Sequence, residues 1–145
     1  MALPEAIELQ VVTPQRHVLQ ETVQAIEIPG KEGYLGVLPG HAPLITELGI
    51  GILAYRKGAE TRYLTVMQGY AEVLPDRVIV LAELSERAEE IDLGRAREEQ
   101  ERAQAELAKT SAGSPDWQER KLAVERALVR TQVVGKQGGI TTPHK

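Results

Sequence analysis

The chain has 145 residues, 42% apolar and 26% charged, which is the composition of an ordinary globular protein of about one domain's length. Only 3% is aromatic, four Tyr and Trp117 with no Phe, so a core has to be built from Val, Ile, Leu and Ala, and stacking platforms for single-stranded nucleic acid are excluded. A net charge of −4 leaves no electrostatic footprint for a polyphosphate backbone, and the absence of Cys removes disulfides, thiolate nucleophiles and sulfur-based zinc sites. Met1 to Glu5 lack the basic start and apolar run of a signal peptide. No stretch approaches the roughly 18 apolar residues of a membrane span, so a role at a membrane requires another protein to hold the chain there.

The chain changes character near Ser85. Residues 1–85 carry 6 Lys/Arg and 10 Asp/Glu, and residues 86–145 carry 11 of each. Six of the eight prolines and eight of the 13 glycines precede Ser85, the punctuation of many short strands. Apolar positions alternate over Ile7-Glu8-Leu9-Gln10-Val11 and over Thr61 to Val66, and continuous apolar runs occupy Ile50 to Tyr55 and Val78 to Leu81. Turn signals at Thr13-Pro14, Pro29-Gly30, Pro39-Gly40, Arg56-Lys57-Gly58 and Pro75-Asp76 separate them. With no helical stretch between them for a parallel crossover, these strands predict an antiparallel sandwich or barrel.

From Asp92 to about Lys109 the chain is rich in Ala, Glu, Arg, Gln and Leu, with Arg95/Glu99, Glu98/Arg102 and Arg102/Glu106 spaced as ion pairs on a surface helix. Thr110 to Gly113 break the pattern. Ser114-Pro115-Asp116 then offer an N-cap, a first-turn proline and a first-turn acid for a second helix running to about Val134. Gly135 is placed to end it, with Gly138 to Lys145 as a frayed tail. A short link makes the two helices an antiparallel hairpin. The second helix presents two apolar stripes, Trp117/Val124/Leu128 and Leu122/Val129/Val133. Leu93, Ala96, Ala103 and Leu107 answer them from the first, a thin interface for helices this short. The fold class predicted is α+β, an N-terminal antiparallel β-sandwich followed by a C-terminal two-helix hairpin. The predicted divisions are 1–86 for the sandwich, 87–135 for the hairpin and 136–145 for a flexible tail.

Templates for catalysis fail. His17, His41 and His144 are too dispersed for a metal set, Ser85, Ser111 and Ser114 fall outside the β unit that would have to hold a Ser-His pair, and neither Gly30-Lys31 nor Gly135-Lys136 completes a phosphate-cradling loop. Two other features stand out. Pro29 to Pro43 hold four glycines and three prolines, a stiff stretch that either turns strands tightly or presents a recognition surface. Within it, His41 suits a hydrogen bond that pins the loop better than it suits a general base. On the second helix Arg126 and Arg130 lie four apart with no acid three or four residues away. Either Glu98, Glu101 or Glu106 of the first helix neutralises them, or a ligand does. Guanidinium forks suit triphosphate oxygens, and Arg95 and Arg102 are placed to complete a clamp.

Four stretches resemble, in order, the epsilon subunit of F-type ATP synthase: Val12-Thr13-Pro14, Glu32-Gly33-x-x-Gly36-Val37-Leu38-Pro39-Gly40-His41-Ala42-Pro43-Leu44, Gly69-Tyr70-Ala71-Glu72-Val73 and Ile91-Asp92-x-x-Arg95-Ala96. The resemblance implies a sandwich followed by a helical hairpin, in a non-catalytic subunit of the central rotor that couples proton flow to ATP synthesis. Gamma and the c-ring are the implied partners, with alpha and beta added when the hairpin is extended and blocks hydrolysis. Membrane insertion and nucleic acid play no part, and the implied location is the cytoplasmic face of the bacterial inner membrane. It further implies a contact loop for gamma or the c-ring at Glu32, Gly33, Tyr34 and His41. No cofactor is required, but a regulatory ATP is implied at Glu86, Ile91, Asp92, Arg95, Ala96, Arg102, Arg126 and Arg130, and ATP favours the compact pose of a bistable hairpin. Two departures are visible: Tyr34 replaces an acid common between the two glycines, and Gln68 replaces the first glycine of a Gly-Gly pair. The competing class is a free-standing adaptor whose hairpin recognises an unrelated partner.

Overall fold

The computed structural model describes residues 3–141, with side chains described through Gln137. It divides into two units, Met1–Arg87 and Ala88–Lys145. In the first, seven strands follow one another: β1 (Ile7–Val12), β2 (His17–Val23), β3 (Ala25–Gly30), β4 (Gly33–Val37), β5 (Leu44–Lys57), β6 (Glu60–Leu74) and β7 (Arg77–Leu84). They form a hydrogen-bonded series in the order β2-β1-β7-β6-β5-β3-β4. All neighbours are antiparallel except β1 and β7, which pair in parallel from Glu8↔Arg77 to Val12↔Leu81. That parallel pair was not anticipated. It needs no crossover helix, because five intervening strands carry the chain from β1 round to β7.

Two strands are also much longer than turns every ten residues imply: β5 has 14 residues and β6 has 15. They form one hairpin in a single register from Leu44↔Val73 to Lys57↔Glu60. The core residues change parity along it. On β6 they are Leu64 and Val66, then Ala71 and Val73. The switch lies at Gln68 (φ 65°) and Gly69 (φ 118°), two successive residues with positive φ that rotate the strand and exchange its inner and outer faces. Each half of the long hairpin thereby serves a different layer. Leu9, Val23, Ile28, Val37, Leu53, Leu64, Val73 and Val80 from all seven strands meet in one core, and β2 touches β5 although they are far apart in strand order, so the sheet folds over into a sandwich.

The second unit opens with a 3-10 turn at Ala88–Glu90 and continues with α1 (Leu93–Ala108) and α2 (Trp117–Thr141). The ion pairs Arg120–Glu106 and Arg130–Glu99 run in opposite chain directions, which makes the helices antiparallel. Of the two stripes on α2, the one with Val129 and Val133 is buried, whereas Leu128 of the other is 38% exposed. Ser114 caps as its sequence suggests, its Oγ accepting from Asp116 N at 3.2 Å, although the regular helix starts at Trp117 after one tighter turn to Ser114 O. The expected end at Gly135 is not observed, since α2 continues to Thr141. Gly135 does not adopt a positive φ, so it acts as an interior glycine costing about 1 kcal/mol and not as a C-cap. The tail expected from 136 is helical to Thr141, and its remainder, residues 142–145, lies outside the described residues.

Candidate functional site

The contact-loop residues fall on two loops with different anchors. Lys31 and Glu32 turn β3 into β4 between the paired Gly30 and Gly33, and Gly33 takes the positive φ of 135° that a side chain would resist. Lys31 ties this turn to β5, its N–H donating to Glu47 O at 2.8 Å and its Nζ lying 3.3 Å from Glu47 Oε2. Glu32 is exposed at the tip.

Tyr34 is not simply a substituted surface position. Its hydroxyl accepts a hydrogen bond from Ile52 N at 3.0 Å, at the point where the β3–β5 ladder skips from Glu27↔Ala54 to Gly30↔Leu48. The phenol fills the gap left in the ladder, and a side chain on Gly51 would prevent it: a Cβ there would lie 2.6 Å from Pro29 Cβ and 2.7 Å from the Tyr34 hydroxyl. Tyr34→Phe is expected to cost about 1 kcal/mol, the worth of one hydrogen bond to a backbone amide. Urea denaturation measures the loss, and faster hydrogen exchange at the Ile52 amide localises it.

His41 belongs to the other loop, after β4. Its Nδ1 lies 2.7 Å from Ala42 O, and its N–H donates to Leu38 O at 3.1 Å. Gly40 fastens this loop to the β6–β7 turn by donating to Pro75 O at 2.7 Å, with a φ of 89°. The ring therefore pins its own loop, as a histidine between turn residues suggests, and among the described residues no acid or serine is bonded to it for proton transfer.

The second candidate set lies mostly on the helical unit. Asp92 is the N-cap of α1, its Oδ1 accepting from Arg95 N at 3.0 Å and its carbonyl from Ala96 N at 2.9 Å. Ile91 and Ala96, both buried, hold the positions before the cap and at the fourth helical residue that a hydrophobic staple joins. The Ile-Asp-x-x-Arg-Ala pattern thus has a complete structural meaning as a helix start, whose signal in the sequence is an Asp before a helical run. Glu86 stands on the other unit, where its backbone N donates to Thr65 Oγ1 at 3.0 Å and its carbonyl accepts from Thr65 N at 2.8 Å.

The four arginines divide. Arg126 is held by Glu119 of its own helix, seven residues away, at 2.9 Å, and Arg130 by Glu99 of α1. The acids expected to neutralise this pair, Glu98, Glu101 and Glu106, do not: Glu106 pairs with Arg120 at 2.8 Å. A long guanidinium reaches two turns along its own helix, farther than the three-or-four rule considers. Glu99 lies four residues after Arg95 and three before Arg102, so its pairing with Arg130 brings α2 against the α1 face that carries both. Arg95 and Arg102 are exposed and form no ion pair among the described residues. Along α1, Glu99 lies between Arg95 and Arg102, and its carboxylate pairs with Arg130 of α2. No group of three or more His, Cys, Asp or Glu suited to a metal occurs among the described residues.

Two family models match in succession. Residues 6–88 fit the ATP synthase delta/epsilon chain beta-sandwich domain, and residues 89–135 the delta/epsilon chain long alpha-helix domain. The chain is similar to the ATP synthase epsilon chain of Koribacter versatilis, 51% identical over 105 residues, or 72% of this chain and 74% of that one. It is also similar to ATP synthase epsilon chain 2 of Syntrophotalea carbinolica, 43% identical over 94% of this chain and 99% of that one. Among solved structures it resembles a chain in the Euglena gracilis mitochondrial ATP synthase, OSCP/F1/c-ring, with a TM-score of 0.72 and 28% identity over 94% of this chain and 84% of that one.

Proposed function

The chain belongs to the delta/epsilon chain family of ATP synthase, and from that premise we propose that its sandwich anchors it in the central stalk while its hairpin is a nucleotide-biased brake on ATP hydrolysis. The observation carrying the anchor is the match of both domains, in order, over residues 6–135. The subunit is non-catalytic, and proton transport and ATP synthesis belong to the complex it joins. Its partners are gamma and the c-ring, with alpha and beta reached by the extended hairpin. It works at the cytoplasmic face of the bacterial inner membrane, held there by those partners, since no helix among the described residues is long and apolar enough to cross a membrane.

Two features support the brake. The helical unit is thinly packed: among the described residues its buried apolar side chains are Ala88, Ile91, Ala96, Ala127, Val129 and Val133, so a modest free energy decides its pose. The arginine cluster supplies a place where ATP would act. The test is ATP hydrolysis by a sector of alpha, beta and gamma, reconstituted with the full chain or with a truncation ending at Arg87. Binding by both, inhibition by the full chain alone and relief by excess ATP is the expected result. Binding without inhibition by either form would leave the anchor and remove the brake, and failure of both to bind would favour the adaptor class.

A further inference from the structure

The stretch Val12-Thr13-Pro14 has no part in either candidate site. Among the described residues, Thr13, Thr65 and Ser85 are the polar side chains buried in the sandwich, and hydrogen bonds link all three to the chain where it leaves β7. Residues 85–87 keep the register of the last β6–β7 pair, Met67↔Leu84, as far as the single bridge Leu64↔Arg87. Along them, side chains replace part of the ladder. An antiparallel pair ordinarily exchanges two backbone N–H···O bonds. Here Thr65 N donates to Glu86 O at 2.8 Å, but Glu86 N donates to Thr65 Oγ1 at 3.0 Å, and Ser85 Oγ donates to Thr65 O at 2.7 Å. Thr13 adds a brace from the β1–β2 turn: its N–H donates to Arg16 O at 2.9 Å, its Oγ1 accepts from Arg16 N at 3.2 Å, and Arg16 Nη2 donates to Ser85 O at 3.3 Å.

Peeling residues 85–87 from β6 would break these bonds together and strip partners from hydroxyls buried at Thr65 and Ser85, a cost that rises because the members of a buried network support one another. The residues that follow are held differently. Ala88–Glu90 form one short 3-10 turn, closed by Ile91 N donating to Ala88 O at 3.2 Å, and Asp92 then caps α1. A 3-10 turn has weaker hydrogen-bond geometry than a ladder or an α-helix, so residues 88–91 are where the backbone yields first.

We infer that Thr13, Arg16, Thr65 and Ser85 form a lock that keeps residues 85–87 on the sandwich in every pose of the hairpin, so that the hairpin turns on residues 88–91 alone. The inference rests on the brake reading and adds to it the pivot and the side chains that fix it. Fully extended, residues 88–91 span at most about 14 Å, whereas a tether released from Ser85 onward spans about 25 Å. The effective concentration of a tethered group falls roughly as the −3/2 power of tether length, so the lock raises that of the hairpin at the surface it blocks by about twofold.

The test uses the full chain assembled with alpha, beta and gamma, and reads hydrogen exchange at single amides together with inhibition of ATP hydrolysis. In the wild type, adding ATP is expected to change exchange at the Ile91 amide and to leave the Thr65 and Glu86 amides as protected as before. Thr65→Val combined with Ser85→Ala opens the lock: exchange at Glu86 should rise about tenfold while other β6 and β7 amides and the affinity for gamma hold, and inhibition should weaken about twofold. A Gly-Ser-Gly insertion after Arg87 lengthens the tether with the lock intact, and should weaken inhibition to the same extent while the Glu86 amide stays protected. Inhibition unchanged in either variant, or a wild-type Glu86 amide that loses protection when ATP is added, overturns this inference and leaves the brake standing. Absence of inhibition by the wild type itself overturns both.

Discussion

Replacing Gly69 by alanine is expected to cost the sandwich about 3 to 5 kcal/mol, a large share of the roughly 5 to 15 kcal/mol that holds a domain folded. A Cβ at that position would lie 2.0 Å from Leu81 O and 2.9 Å from Ala82 Cα, both backbone atoms of the strand to which β6 is hydrogen-bonded. No rotamer change relieves such an overlap, so β6 and β7 have to separate where they flank the core. The φ of 118° adds to the cost, because it lies beyond the left-handed region that an L-residue tolerates. Gln68 makes the internal comparison: its φ of 65° falls within that region, at a cost of about 1 to 2 kcal/mol that a glycine would largely remove. Gln68→Gly should therefore shift stability by about 1 kcal/mol or less, the released strain being offset by glycine's entropy. Urea denaturation of both variants separates the two positions, and a Gly69→Ala protein within about 1 kcal/mol of the wild type would show that the face exchange does not depend on this residue.

This pair of residues also shows where sequence stopped informing structure. Alternation over Ile7–Val11 and Thr61–Val66 announced half-buried strands, and the change of composition near Ser85 separated them from helices. Those are local signals, each contained in a few residues. The exchange of faces at Gln68–Gly69 depends on how far β5 and β6 extend together, and the parallel β1–β7 pair depends on where the ends of a long sheet meet. Neither leaves a mark inside one strand. Gly135 failed for the opposite reason: its local signal for a helix end is real but weak, and with no proline before Pro143 nothing nearby enforces it.

In the candidate sites, the identity of residues was legible and their partners were not. Arg126 and Arg130 stood out as cations without near acids, yet Glu119 and Glu99 reach them from seven residues away and from the other helix. Tyr34 stood out as a departure, and only the skipped ladder beside Ile52 gives its hydroxyl a purpose. Asp92 was legible as part of a nucleotide motif, and its role as the N-cap of α1 is what the hydrogen bonds from the Arg95 and Ala96 N–H groups establish.

The pairing of Glu99 with Arg130 yields the prediction with the clearest sign for the proposed regulatory nucleotide. A triphosphate entering between Arg95, Arg102, Arg126 and Arg130 would have to displace the Glu99 carboxylate, which already neutralises one of the four and repels an incoming anion. Glu99→Gln removes the ion pair with Arg130 without shortening the side chain, so ATP is expected to bind several-fold more tightly to this variant. Arg130→Ala removes a donor and leaves Glu99 free, and the expected loss is roughly 1.5 to 3 kcal/mol, the worth of a charge-assisted hydrogen bond, or about tenfold to a hundredfold. Calorimetric titration of the full chain with ATP measures both. In a thermal melt, the helical unit of the wild type should gain about 2.7 kcal/mol at an ATP concentration a hundred times its Kd. A structural role for the ion pair alone predicts the opposite order, with both substitutions destabilising the hairpin and neither changing the response to ATP. Tightening in Glu99→Gln together with weakening in Arg130→Ala is the result expected when the nucleotide and the carboxylate compete for the same guanidinium.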